Sequence, residues 1–317
     1  MLNYALRRIL VAIVLVWVVA TIVFSLLHLI PGDPAALLSS SGGVLPPPEA
    51  IEALREQMGL NRPILEQYTS YLVGILRGDL GVSFQDGYPI ASEIATRLPR
   101  TLELIIAATL LAVAVGLPLG TLAARRQGSV LERVLSAIAS VNLSMPVFVI
   151  GTLLILVFAQ KLRWVPAGGY VSFLEDPWMH LVHLSMPAFT IAVGLSAVVY
   201  RMARASVLET LQRDWVRTAR AKGLAERQVL RRHVVRNSLG PVVTVVGLNV
   251  GTLLGSTVLI EYVFNWPGLS GFLVSAVEQR DYPAVQGIVL VTSFLFILIN
   301  LAVDLLYSVL DPRVGHQ

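Results

Sequence analysis

The residues of this chain equipped for chemistry are few and scattered. His180 and His183 stand three apart, which places two imidazoles on one helix face and suits a metal, but two ligands without a third are weak grounds for a metal centre. Ser185 lies beside His183 outside any Gly-x-Ser-x-Gly setting, so a membrane protease ranks low. The absence of cysteine removes disulfides, thiolate zinc sites and iron-sulfur clusters together. Only two lysines occur, in Gln160-Lys161-Leu162 and Ala221-Lys222-Gly223, and neither fits the phosphate-binding Gly-x-x-x-x-Gly-Lys-Ser/Thr loop. No catalytic, cofactor-binding or metal-ligating residue is assigned, and the chain is not expected to be an enzyme.

What is patterned is a basic stretch, 201–237. Leu208, Leu211, Trp215 and Ala219 recur at three to four residues, one apolar stripe on a basic helix. Gly223 ends that helix, since glycine accepts the left-handed conformation cheaply, and residues 225–235 restart as a second short helix. A helix, a glycine turn and a helix of this character either meet anionic lipid and enforce topology or dock a partner.

The elements that carry this stretch are set by composition. Of 317 residues, 55% are hydrophobic and 14% charged, and the mean hydropathy is +0.72, too apolar for an ordinary soluble domain. Six windows, 9–32, 104–124, 134–160, 177–200, 237–260 and 282–303, contain no Asp, Glu, Lys or Arg. Each reaches the roughly 20 residues that a helix needs to cross a bilayer with its backbone groups paired internally. Buried helices of a soluble protein rarely stay uncharged so long, because their outer face meets water. The first window follows Arg7 and Arg8 as a signal peptide would, but its apolar run is too long and lacks a clear Ala-x-Ala site, so it reads as a retained span.

Arginine places the loops. Arg7 and Arg8, then Arg125, Arg126 and Arg133, then the ten basic residues from Arg201 to Arg236 fall on one side of a six-span path, the cytoplasm, with both termini inside. The opposite side receives 31–97, where acids such as Asp33, Glu49, Glu66 and Asp79 outnumber arginines. This stretch reads as a small extracytoplasmic segment: Pro46-Pro47-Pro48-Glu49 resembles a helix start, and Gly59 and Pro63 are expected to end that helix. The domain reading is a first span over 1–30, the outer segment over 31–97, a five-helix core over 98–310 and a cytoplasmic tail over 311–317. With positive charge gathered at the membrane loops, lipid is an expected partner and nucleic acid is not.

A transporter driven by protons or sodium would carry ionisable groups inside its spans, at a cost of about 2.5 to 3.5 kcal/mol each at the centre. The window centres hold none; Glu103 and Asp304 lie near window ends and read as helix-packing or interfacial groups. A secondary transporter therefore remains the alternative of a different class. Gly247, Gly251 and Gly255 repeat at four-residue spacing, a helix-packing face, and Gly116, Pro118, Pro146, Gly151, Pro187 and Gly194 mark kinks or close approaches. The outer loop 261–281 joins Phe264, Trp266 and Leu269 to the breakers Pro267, Gly268 and Gly271. It reads as an aromatic belt or as a re-entrant piece lining the outer mouth, the second with Phe264, Trp266, Pro267, Leu269 and Glu278 as substrate-path candidates.

Asp214-Trp215-Val216-Arg217-Thr218-Ala219-Arg220-Ala221-Lys222-Gly223, continuing through Leu224, Arg232-His233 and Arg236-Asn237 to Pro241, resembles the cytoplasmic loop of ABC importer permeases of the dipeptide/oligopeptide/nickel family. Arg217-Thr218-Ala219 stands where the general permease motif has Glu-Ala-Ala, Gly223 matches its glycine, and Arg236 occupies its distal proline position. A salt bridge through a motif glutamate is thus unavailable. Further likenesses run the length of the chain: Leu29-Ile30-Pro31-Gly32-Asp33-Pro34, residues 54–60 with Gln67-Tyr68, Gly78-Asp79-Leu80-Gly81-Val82-Ser83, Arg97-Leu98-Pro99-Arg100-Thr101-Leu102, Asp304-Leu305-Leu306-Tyr307 and Asp311-Pro312-Arg313. The resemblance implies an all-α polytopic membrane protein with the type I importer permease fold in a bacterial or archaeal cytoplasmic membrane. It implies that Asp214, Trp215, Arg217, Thr218, Ala219, Arg220, Ala221, Lys222, Gly223 and Leu224 form a coupling loop seated on an ATPase subunit. It implies as partners a second homologous permease, two ATPase subunits that bind ATP and magnesium, and an extracytoplasmic solute-binding protein. Di- or oligopeptides lead as cargo, with nickel chelates, glutathione and other small solutes such as sugars open.

Overall fold

The computed structural model describes residues 2–29, 47–57 and 60–310. The motif at Pro31 to Pro34, Pro46, Gly59 and the tail 311–317 lie outside the described residues. Among the described residues the fold is helical, with one isolated bridge between Val82 and Pro89. Five single helices are long and apolar enough to cross a membrane: Leu6–Ser25, Ile90–Arg125, Pro177–Leu211, Glu226–Ser256 and Tyr282–Leu305.

The window expected as one span over 134–160 is two helices, Val130–Ser144 and Val147–Lys161, meeting at 99°. The cause is local. Met145 precedes Pro146 and takes an extended backbone, φ −85° and ψ 129°, because the proline ring crowds the helical conformation of its predecessor. Pro146 then opens the next helix, where its missing N–H leaves no bond unmade.

The helices are α1 (Leu2–Leu29), α2 (Pro48–Gln57), α3 (Ile64–Arg77), α4 (Ile90–Arg125), α5 (Val130–Ser144) and α6 (Val147–Leu154, prolonged by a π-turn, Ile155–Lys161). They continue as α7 (Pro177–Leu211), α8 (Asp214–Ala221), α9 (Glu226–Gln228, prolonged by a second π-turn, Val229–Val235), α10 (Arg236–Ser256), α11 (Val258–Val263), α12 (Leu269–Glu278) and α13 (Tyr282–Leu310). Two compact units emerge, one built mainly on residues 101–267 and the other on 7–100 with 268–297.

In the first unit α7 is the central post. Its one face holds Leu184, Ile191, Leu195, Val199 and Val207 in successive apolar clusters, with α4, α5, α6 and α10 packed around it. Gly116 and Gly120 let α4 cross α7 at close range. A Cβ on Gly116 would lie 2.6 Å from the Ser196 carbonyl, and one on Gly120 2.6 Å from the Tyr200 carbonyl, so no other residue fits without moving backbone. The expected glycine face at Gly247, Gly251 and Gly255 is less uniform: Gly247 is pressed by Val303, while a Cβ at Gly255 would meet open space.

Polar ties complete this unit. Glu132, buried, accepts from the Gly128 amide at 2.5 Å and from Arg204 Nε at 2.8 Å, joining the start of α5 to α7. At the N-terminal end of α7, His180 is enclosed by the rings of Tyr170, Phe173 and Trp266; its Nδ1 lies 2.7 Å from the Val171 carbonyl and its Nε2 2.5 Å from Glu103. Its role is thus to bind α7 to α4, and no group of three or more metal-ligating side chains gathers among the described residues.

The second unit buries Ile90, Ile94, Leu269, Phe272, Ala276, Ala284 and Ile288 together. Asp281 is its polar anchor, accepting from Ser83 Oγ at 2.6 Å and from the Phe84 amide at 3.3 Å. Pro63 begins α3 and does not end α2; fixed at φ −53°, it suits a helix entry better than an exit. α3 packs on α1 through Tyr68 and Tyr71 against Phe24, and burial pushes the Tyr71 hydroxyl up to about 12.

Candidate functional site

The patterned basic stretch folds into a compact element at the end of α7. α7 stops at Leu211, Arg213 turns the chain with φ −69° and ψ 143°, and α8 runs from Asp214 to Ala221. The single stripe expected through Leu208, Leu211, Trp215 and Ala219 is therefore split between two helices. Val216 takes the place expected of Trp215: it is wholly buried, whereas the Trp215 ring stays 40% exposed and lies 6.4 Å from His233.

Val216 and Ala219 are the feet of α8. They sit on Ala124, Val207, Val229 and Val234, with Leu208, Leu211 and Leu230 at the edge. Burying a valine of this kind contributes about 1.5 to 3 kcal/mol, enough to hold a helix of eight residues that could not persist alone. Ser206, Thr210 and Ser238 add a buried hydrogen-bonded seam beneath: Ser206 Oγ donates to the Ser238 carbonyl at 3.0 Å, and Ser238 Oγ donates to Thr210 Oγ1 at 2.9 Å. Neither Val216 nor this seam was singled out from sequence. The i, i+3 placement of Val216 and Ala219 was the available signal for the first; the second joins residues 28 and 32 apart, beyond any local pattern.

The exit from α8 has the bonding of a Schellman motif. The Gly223 amide donates to the Arg220 carbonyl at 2.9 Å and the Leu224 amide to the Ala219 carbonyl at 3.4 Å, with Gly223 at φ +77°. Arg220 then holds Glu226 through two nitrogens, at 3.1 and 2.7 Å, tying α8 to α9, and those bonds keep the Arg220 guanidinium charged above its ordinary value. The second helix expected over 225–235 is not separate. It passes through a π-turn and runs on without a break into α10.

Of the residues assigned to this loop, Ala219 is buried and acts as support. Asp214, Trp215, Arg217, Thr218, Arg220, Ala221, Lys222, Gly223 and Leu224 are all exposed. The element is a small, rigidly footed helix that turns a charged and aromatic face outward.

Two family descriptions cover the chain. "Binding-protein-dependent transport system inner membrane component" matches residues 116–316, which include the whole of this element, and its N-terminal companion matches residues 1–105. The chain belongs to this family of transport permeases. It is 41% identical over 317 residues to the glutathione transport system permease protein GsiC of Escherichia coli O6:H1, with both chains covered in full. To the dipeptide transport system permease protein DppB of Escherichia coli K12 it is 39% identical over 340 residues, again with full coverage of both. The folded chain also resembles two inward-facing crystal forms of the MetNI methionine ABC transporter, with TM-scores of 0.58 and 0.56 at 19% identity, over 69% of this chain and 96% of theirs. That likeness establishes the fold as the one shared by ABC importer permeases.

The outer candidates of the permease fall differently. Phe264 and Trp266 are 1% and 2% exposed within the cluster around Leu104, Met186 and Ile191, and Leu269 is 1% exposed in the core of the second unit. These apolar residues are packing anchors, with no surface left for a solute. Two short helices, α11 and α12, follow one another there, and the end of α11 is bonded to protein: Gly169 donates to the Phe264 carbonyl at 2.8 Å. Pro267 is half-buried and Glu278 exposed. Ionisable groups are buried after all, in Glu261 and Asp281 at 1% exposure, yet each is answered by a hydroxyl, Thr101 at 2.7 Å and Ser83 at 2.6 Å.

Proposed function

We propose that this permease is the subunit of an ATP-driven importer that forms half of the path for short peptides, with α8 as the element through which ATPase subunits move it. The observation that carries this reading is the footing of α8: buried Val216 and Ala219 make it one body with α7 and α10, while its outward face stays exposed. Force applied to such a helix passes to two spans without being absorbed by a flexible loop. The chain has no phosphate-binding loop of its own, so ATP and magnesium belong to two partner ATPases, and a second permease completes the path. A solute-binding protein delivers cargo from outside, and both termini lie in the cytoplasm.

Near-equal identity to a glutathione permease and a dipeptide permease favours a cargo with a peptide backbone over metal chelates or sugars. Glu261 and Asp281, already bonded to hydroxyls, give no support to a proton-driven transporter.

The test is affinity purification of the complex from its native membrane, with identification of its subunits and reconstitution with ATP. Recovery of a second permease and ATPase subunits, with uptake of di- or tripeptides that requires ATP, is the expected result. A lone chain that transports in liposomes without ATP overturns the proposal.

A further inference from the structure

Immediately beyond the α8 turn, Arg227, Arg231, Arg232 and Arg236 line a single groove of about 650 Å³ together with Ala225 and Gln228. Regular α-helical winding, at about 100° per residue, would set Arg232 and Arg236 roughly 140° and 180° from Arg227. The π-turn over Val229–Val235 changes this, because bonding to the fifth residue widens the helix and reduces the rotation per residue. Four arginines that an α-helix would scatter line one space. Val229 and Val234, wholly buried, hold the π-turn against the first unit's core.

The charge in this groove is of a different kind from that beside it. Arg213, Arg217 and Arg220 are each paired, with Glu209, Asp214 and Glu226. Among the described residues no ion pair involves Arg227, Arg231, Arg232 or Arg236, and no carboxylate lines the groove. Such a cluster calls for an anion with several acceptor oxygens, and arginine forks match phosphate in pairs. Position names the source. Arg236 directly precedes the apolar length of α10, and Arg231 stands five residues before it, at most about 7.5 Å even at the α-helical rise, a distance comparable with the roughly 5 to 7.5 Å depth of one headgroup layer.

We propose that the groove of Arg227, Arg231, Arg232 and Arg236 is a binding site for the headgroup phosphate of an anionic phospholipid of the cytoplasmic leaflet. It rests on the inner-membrane placement and the orientation proposed above and is independent of the cargo. Lipid held there would brace the helix that carries α8 at the membrane surface.

The assembled complex, placed in nanodiscs of phosphatidylcholine with a minority of phosphatidylglycerol and then released, is weighed by native mass spectrometry to count retained lipid. Wild type is expected to keep phosphatidylglycerol selectively. The triple variant Arg231→Gln, Arg232→Gln, Arg236→Gln should bind it roughly 100-fold more weakly, taking about 1 kcal/mol for each arginine near a charged surface. The variant Arg213→Gln, Arg217→Gln, Arg220→Gln removes the same number of charges nearby and should retain lipid. Equal retention by wild type and the first triple, or loss shared by both triples, overturns the site. Displacement of all phosphatidylglycerol by millimolar inorganic phosphate assigns the groove to a soluble anion and overturns the lipid source. Loss of ATPase subunits from the first triple with its lipid count unchanged marks a protein-docking surface instead and also overturns the proposal. Subunit composition and ATP-dependent uptake are read on the same preparations, so failure of the transport reading is seen separately from failure of the lipid site.

Discussion

The α8 element and the turn around Phe264 and Trp266 are both short, irregular stretches at span ends, rich in residues that bind things. They resolve in opposite ways. α8 buries two small aliphatic side chains and leaves its charged and aromatic face outward; the Phe264–Trp266 turn buries its aromatics and closes its backbone onto Gly168 and Gly169. A Cβ on Gly168 would lie 2.2 Å from the Phe264 carbonyl, so that turn is locked by contact, whereas a Cβ on Gly223 would meet nothing within 4 Å and the glycine is needed for its backbone angle. Aromatic content at a span end therefore does not distinguish a binding surface from a packing anchor. What distinguishes them is whether small residues have taken over the task of burial.

The comparison is broken most forcefully at Gly223. Gly223→Pro loses the amide that bonds Arg220 and cannot reach φ +77°, a change of about 3 kcal/mol or more concentrated at the α8 exit. ATP-dependent uptake should fall to background while the complex still assembles in the membrane, as measured by transport and by subunit recovery; normal uptake would remove α8 from the coupling role. Trp266→Ala should act on the other region through stability, by about 3 to 5 kcal/mol, with thermal denaturation shifted and uptake falling only in step with folded protein.

Smaller changes sharpen the contrast. Trp215→Ala is expected to lower uptake by roughly tenfold, as loss of one interfacial aromatic costs about 1.4 kcal/mol or more, with the melting temperature little moved. An equal loss of stability for Trp215→Ala and Trp266→Ala would erase the distinction between surface and anchor. Gly223→Ala meets no neighbour and carries only the left-handed backbone penalty of about 1 to 2 kcal/mol, so uptake should fall several-fold and not vanish. Asp214→Asn, at a side chain 98% exposed and 3.7 Å from Arg217, should leave the melting temperature unchanged and test only whether that charge meets a partner.

Five of the six expected spans were legible in place because an uncharged run of about 20 residues has few other fates. Gly223 was legible as a turn because a glycine after an amphipathic run has one common use. The break at Pro146 was visible only as a possible kink; how far the chain bends depends on what receives the next helix, and the angle is 99°. Val216 was hidden by Trp215 beside it, since a larger apolar residue dominates any reading of a stripe. Gly116 and Gly120 were harder still, as glycine alone does not say whether it bends a helix or admits a neighbour at 2.6 Å.

By itself, then, the sequence determined that this is a helical membrane protein, which loops gather arginine, and where a short basic helix must stop, because hydropathy, charge and glycine angles act within a few residues. Only the tertiary structure decided which apolar residues became feet and which were left to meet others, how α7 took α4 at Gly120, and that a π-turn would bring four arginines into one groove. Those outcomes depend on side chains far apart in sequence competing for the same space, and on a helix winding that no local propensity reveals.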